Sequence, residues 1–190
     1  MCAGIAKKGI VIAAILIAAI LAGTASAGTV VVTAIVAGGN LSVTMPAEFT
    51  ITGLELGGGA EKYSDVAEQS YIVEDARGTG SGWNLVFSIS QFKTSGSGSR
   101  TIPQGNYEIK LLSSKITKTW GQDIDEAKGP ISLLYDYTGI NDNETKTVTS
   151  ESDYGMGKYD IKVSYRLKIP ATTYVGTYTA TITAALNSGP

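Results

Sequence analysis

The sequence predicts an all-β protein, an antiparallel two-sheet β-sandwich with one polar insertion, and three observations carry that prediction. Apolar and polar residues alternate with period two over long stretches, clusters of glycine, serine and asparagine interrupt the alternation at short intervals, and no amphipathic helix of useful length is present. Successive side chains of a strand point to opposite faces, so a period of two marks one buried and one wet face. Many short strands cut by turn residues are the pattern of a sandwich.

The clearest strand runs from Tyr159 to Ile169. There Tyr159, Ile161, Val163, Tyr165, Leu167 and Ile169 alternate with Asp160, Lys162, Ser164, Arg166 and Lys168, which gives an apolar inner face and a charged outer one. Beyond Pro170, Tyr178, Ala180, Ile182, Ala184 and Leu186 share a face opposite Thr177, Thr179, Thr181 and Thr183. Threonine suits a solvated face because its β-branch fits the pleat while its hydroxyl stays wet. A third face collects Trp83, Leu85, Phe87 and Ile89 opposite Asn84, Ser88 and Ser90. The predicted core is therefore Trp83, Leu85, Phe87, Tyr165, Leu167, Tyr178 and Ile182.

Shorter strands are expected at Leu41–Thr44, Thr50–Leu56, Tyr71–Glu74, Tyr107–Leu112 and Ile131–Tyr137. Between them lie the turn clusters Gly38-Gly39-Asn40, Gly57-Gly58-Gly59, Gly78-Thr79-Gly80-Ser81-Gly82 and Ser95-Gly96-Ser97-Gly98-Ser99. Residues 113–157 are more polar and less periodic, and they read as an insertion between core strands.

At the N-terminus, Lys7 and Lys8 precede an apolar run from Ile10 to Leu21 that ends in Gly23-Thr24-Ala25-Ser26-Ala27. A charged start, an apolar middle and an A-x-A end are the layout of a secretory signal peptide, with cleavage between Ala27 and Gly28. The run is short of the ~20 residues a membrane-spanning helix needs. Lys7-Lys8-Gly9 also resembles the processing site of archaeal pilins, which keep a hydrophobic helix. Against a continuous helix stand Gly23, Gly28 and the β-branched Val30-Val31-Val32-Thr33. The expected organisation is a signal peptide over 1–27 and a single sandwich domain over 28–190, exported to the cell surface.

Composition narrows the chemistry. The chain has no histidine, which removes the commonest general base and metal ligand, and its one cysteine, Cys2, falls inside the signal. The exported domain can form no disulfide, so core packing and strand pairing must hold it. Without the two signal lysines, thirteen basic residues face seventeen acidic ones, 13 − 17 = −4, and no basic stripe invites nucleic acid. A glycosidase-like pair drawn from Asp123, Asp125, Asp136 and Asp153 is the rival to a non-enzymatic reading, and it requires two carboxylates opposed across a cleft. The acidic runs Asp123-Ile124-Asp125-Glu126 and Asn141-Asp142-Asn143-Glu144 lack the spacing of a calcium loop. No catalytic residue, metal site or cofactor is expected.

The most specific stretch runs from Val73 through Glu74-Asp75-Ala76-Arg77-Gly78-Thr79-Gly80-Ser81-Gly82 to Trp83-Asn84-Leu85. It reads as a strand, a glycine-rich turn in which Asp75 pairs with Arg77 or caps backbone amides, and a strand opened by an aromatic anchor. No helix follows to aim its N-terminus at a phosphate, so it is not a nucleotide loop. Here the chain resembles the WxL-domain surface proteins of Gram-positive bacteria. The resemblance extends to Val30–Val36, to Gly39-Asn40-Leu41-Ser42-Val43-Thr44-Met45-Pro46, to Ile51-Thr52-Gly53-Leu54, and to Ile169-Pro170 and Gly176 to Thr183. Trp83-Asn84-Leu85 matches the first copy of the name-giving motif. At the second copy stands Ala184-Ala185-Leu186, with alanine in the tryptophan's place. The resemblance implies a sandwich and non-covalent attachment to the cell wall.

Between Thr29 and Val36 the chain is apolar on both faces, with Val30, Val32, Ala34 and Val36 on one and Val31 and Ile35 on the other. Such a strand needs cover on both sides, either in its own sheet or in a neighbour's, where it would be donated from a hinge at Gly38-Gly39. Asn40-Leu41-Ser42 and Asn143-Glu144-Thr145 are N-glycosylation sequons and fit an extracellular chain. The expectation is a non-enzymatic structural protein of the cell surface. Either it assembles with copies of itself through this strand into a filament or layer, or it binds wall or surface glycan as a monomer.

Overall fold

The computed structural model describes residues 33–56, 59–95 and 98–190. Ala27, Gly28, Val30, Val31 and Val32, and with them the signal peptide, lie outside the described residues. In chain order the strands are β1 (Leu41–Thr44), β2 (Lys62–Tyr63), β3 (Ala67–Asp75), β4 (Trp83–Ile89), β5 (Phe92–Thr94), β6 (Thr101–Ile102) and β7 (Tyr107–Lys110). They continue with β8 (Ile116–Gly121), β9 (Ile131–Ser132), β10 (Thr138–Gly139), β11 (Thr145–Ser150), β12 (Gly157–Ile169), β13 (Tyr178–Thr179) and β14 (Ile182–Ser188). All pair antiparallel, as an all-β sandwich requires.

One sheet runs β1-β3-β12-β7-β10, with β2 and β8 also on β12; the second runs β14-β4-β11-β9; a small third one runs β13-β5-β6. The long strand β12 is the spine. Its residues alternate as the sequence requires: Tyr159, Ile161, Val163, Tyr165, Leu167 and Ile169 are buried, while Lys158 to Lys168 on the other face are not. The inner faces of β3, β7 and β12 meet those of β4, β11 and β14 in one apolar cluster. Tyr71 of β3 packs edge-on to Phe87 of β4 at 4.9 Å, and the Tyr165 hydroxyl donates to that of Tyr71 at 2.6 Å. Each large side chain buried here contributes roughly 1.5–3 kcal/mol, which in a chain without disulfides is the main source of stability.

Five of the seven predicted core residues, Trp83, Leu85, Phe87, Tyr165 and Leu167, are fully buried, and Tyr178 and Ile182 pack half-buried against the cluster. The alternation after Pro170 is divided between two strands. β13 joins β5 and β14 joins β4, and the switch falls at Thr181, whose N–H and carbonyl both bond Ser90. β4 is a central strand, paired by β14 on one edge and β11 on the other, and it is buried on both faces, Asn84 and Val86 included.

Some expected strands differ. Thr50–Leu56 is not a strand: Gly53 takes φ +73 with the Asp65 carboxylate against it, and only Ile51 packs on the core. The strand expected over Ile131–Tyr137 ends at Ser132, whose hydroxyl accepts the Leu134 N–H and bends the chain. Residues 113–157, read as an insertion, supply β8 to the first sheet and β9 and β11 to the second, with Thr147, Val148 and Ser150 of β11 buried. Short strands completed by cross-chain pairing carry too few residues to display a period. Residues 33–40 are exposed and form no strand; Gly39 and Asn40 exchange backbone hydrogen bonds with Ala76.

Candidate functional site

The glycine-rich turn between β3 and β4 gathers the motif residues at one corner of the sandwich. Asp75 ends β3 on the inward face, where it is 2% exposed, and a carboxylate there needs a partner. Arg77 supplies it: Nε and Nη2 each donate to Asp75 at 2.9 Å, and the Arg77 backbone N–H donates to Asp75 Oδ1 at 3.1 Å. Both roles expected of Asp75, ion pair and amide cap, are thus filled at once. The Asp75 hydrogen bond also holds the guanidinium pKa above its ordinary value. Arg77 goes on to donate to the Gly82 carbonyl at 2.7 Å and the Ser188 hydroxyl at 2.6 Å, so it ties the turn to the C-terminal strand.

Trp83 and Leu85 are 0% exposed. The Trp83 indole N–H donates to the Gly155 carbonyl at 2.9 Å, and its ring lies 6.3 Å from that of Tyr159. Gly155 sits at φ +73, and a Cβ there would come within 2.8 Å of the indole nitrogen and 2.3 Å of Ser150 Oγ, so glycine is required to seat the tryptophan. The buried Tyr159 hydroxyl donates to the Gln122 carbonyl, and burial pushes its pKa up to about 12. Trp83 is therefore a core anchor that fixes the 151–156 turn to β4, and no face of it is open to a ligand.

Structure brings the two motif positions together. β14 lies beside β4 with Leu186 opposite Leu85 and Ser188 opposite Trp83. Ala184, in the missing tryptophan's place, is opposite Phe87 and 9% exposed, so the alanine keeps its inward register.

Beside the same corner is an open groove of about 400 Å³. Its wall is Trp120, the second tryptophan of the chain, which is 46% exposed at the end of β8. Gly121 and Gly157 face each other in register along its floor, and Gly78, Gln122 and Met156 close it. A Cβ on Gly121 would meet Gly157 Cα at 2.4 Å, so the two backbones approach as only glycines allow. Trp120 occupied an aperiodic segment of the sequence, and nothing in that pattern marked it for a groove.

The remaining candidates are dispersed. Asp123 pairs with Lys118, whose hydrogen bond lowers the Asp123 pKa; Asp125 caps the Ala127 and Lys128 amides; Asp136 caps Tyr137 and lies 3.7 Å from Lys110; Asp153 occupies a turn at φ 68. Each serves its own loop. Among the described residues no cluster of three or more acidic or cysteine side chains is placed to hold a metal. Asn40 and Asn143 are both exposed. Among the described residues Ala34, Ile35 and Val36 join no strand, and the latter two are 93% exposed, while Gly39 is fastened by its N–H to the Ala76 carbonyl at 2.7 Å and is no free hinge.

Comparison with known proteins adds one finding. A family model described as WxL domain, surface cell wall-binding, matches residues 37–190, which takes in every strand from β1 to β14. No curated protein and no solved structure matches.

Proposed function

Since this chain belongs to the family of WxL surface cell-wall-binding domains, we propose that its β-sandwich attaches the protein non-covalently to the wall outside the cell, after export and cleavage between Ala27 and Gly28. The observation that carries this reading is the extent of the match, which covers the whole sandwich and includes the buried Trp83-Asn84-Leu85 anchor. The reading is of a binding module, and the scattered acids, each engaged by its own loop, fit that better than a carboxylate pair. Co-sedimentation of the purified protein with isolated cell walls tests it. Protein that stays in the supernatant at low and moderate salt would refute it.

A second reading has its own observation: Ala34, Ile35 and Val36 are apolar and exposed and, among the described residues, join no strand. On this reading the segment from Val30 to Val36 completes the sheet of another copy and builds a filament or layer. Deleting residues 28–37 would then abolish assembly, and adding the segment as a peptide would cap growing ends. A full-length protein that remains monomeric at high concentration would exclude it. Glycans at Asn40 and Asn143 belong to the same extracellular proposal, and mass spectrometry of the native protein tests them.

A further inference from the structure

From the groove beside the motif we infer that Trp120 is a stacking platform for an uncharged saccharide chain. The inference rests on the wall-binding reading and names the ligand chemistry and the residue that reads it. Only one of the two tryptophans is available to a ligand: Trp83 is 0% exposed and committed to Gly155, whereas Trp120 is 46% exposed. Among the described residues its indole N–H has no hydrogen-bond partner, so the ring offers both an apolar face and a free donor at its edge. A pyranose ring presents the complementary pair, a face of C–H groups and a rim of hydroxyls.

The groove's electrostatics select against charge. Asp75 is the one ionisable residue along its lining, and its carboxylate is buried against Arg77. Lys158, which pairs in register with Trp120, is held by Glu74 at 3.2 Å, and Lys118 by Asp123. Among the described residues that line the groove there is no lysine or arginine to recruit a polyphosphate. Met156 and the Gly121-Gly157 floor supply apolar contact, while Gln122 keeps a spare amide hydrogen and a spare carbonyl lone pair after bonding Asp153 and Met156. The groove is open, mainly apolar with a few polar groups, a form that suits a chain lying across it rather than a small molecule enclosed in it.

The test uses the purified full-length protein with three probes: an N-acetylglucosamine tetrasaccharide, polyglycerol phosphate, and isolated walls. Excited at 295 nm, the exposed Trp120 is the quenchable tryptophan, and the tetrasaccharide should protect it from acrylamide while polyglycerol phosphate does not. Trp120→Ala should weaken tetrasaccharide binding at least tenfold, Trp120→Tyr should retain most of it, and neither should move the melting temperature, since the side chain lies outside the core. Trp120→Ala binding the tetrasaccharide as well as the parent, or protection of Trp120 by the polyphosphate alone, overturns the inference. Walls bound without tetrasaccharide binding also overturn it, yet leave the wall-binding reading standing. A protein that binds the tetrasaccharide through Trp120 but ignores walls upholds the sugar site and defeats that reading instead.

Discussion

Replacing Trp83 by phenylalanine separates an anchor from a ligand contact. The indole makes one hydrogen bond, to the carbonyl of Gly155, itself buried, and stacks obliquely on Tyr159. Phenylalanine cannot donate, so a buried acceptor is left unpaired at a cost of about 1–3 kcal/mol. The smaller ring also leaves unfilled space, about 1 kcal/mol more for a change of this size. Together these amount to roughly 2–4 kcal/mol out of the 5–15 kcal/mol typical of a domain. Alanine would cost about 3–5 kcal/mol from lost burial and cavity, with the hydrogen bond besides, which takes up most of the stability of a domain at the low end of that range. The phenylalanine variant is thus the informative one. Urea denaturation followed by far-ultraviolet circular dichroism measures its loss, and wall co-sedimentation below its transition measures binding. A stability within about 0.5 kcal/mol of the parent would show that the indole bond contributes nothing. Binding lost while the fold persists would place Trp83 at the ligand and refute the anchor role.

Three further outcomes follow from the same packing. Arg77→Ala leaves the Asp75 carboxylate buried without its partner and should cost about 3–5 kcal/mol in chemical denaturation, with Arg77→Lys recovering only part because lysine cannot span both oxygens. Tyr107→Phe should be neutral or stabilising by about 1 kcal/mol, since its hydroxyl is buried with no partner among the described residues; a loss above that size would mean the hydroxyl is bonded after all. Burial raises the pKa of Tyr71, Tyr107, Tyr159 and Tyr165, that of Tyr159 to about 12. The unfolded chain therefore releases these protons first, near pH ~10, and stability complete below that pH falls as pH rises through 10 towards 12. Absorbance at 295 nm should show the exposed tyrosines ionising without hysteresis and these four only together with unfolding.

Local pattern carried much of the fold. A half-buried strand must alternate, and β12, with six of its alternating residues in the core, was legible from Tyr159 to Ile169 for that reason alone. The inward set of β4 and the threonine face opposite Ala184 were legible likewise, and the Asp75–Arg77 pair followed from two opposite charges two residues apart in a turn. What sequence could not decide was everything that depends on a second segment. β11 has no strong period of its own, and it becomes a central strand because β4 and β9 offer it hydrogen bonds on both sides. The single alternation after Pro170 became two strands in two sheets because Ser90 holds Thr181 between them. The partner of Trp83 is a backbone carbonyl 72 residues away, which no side-chain pattern announces. Sequence by itself determined which faces would be apolar, because burial acts on each side chain where it stands. Only the tertiary structure decided that one tryptophan is sealed in the core and the other opens onto a groove, because exposure is a property of neighbours brought together from distant parts of the chain.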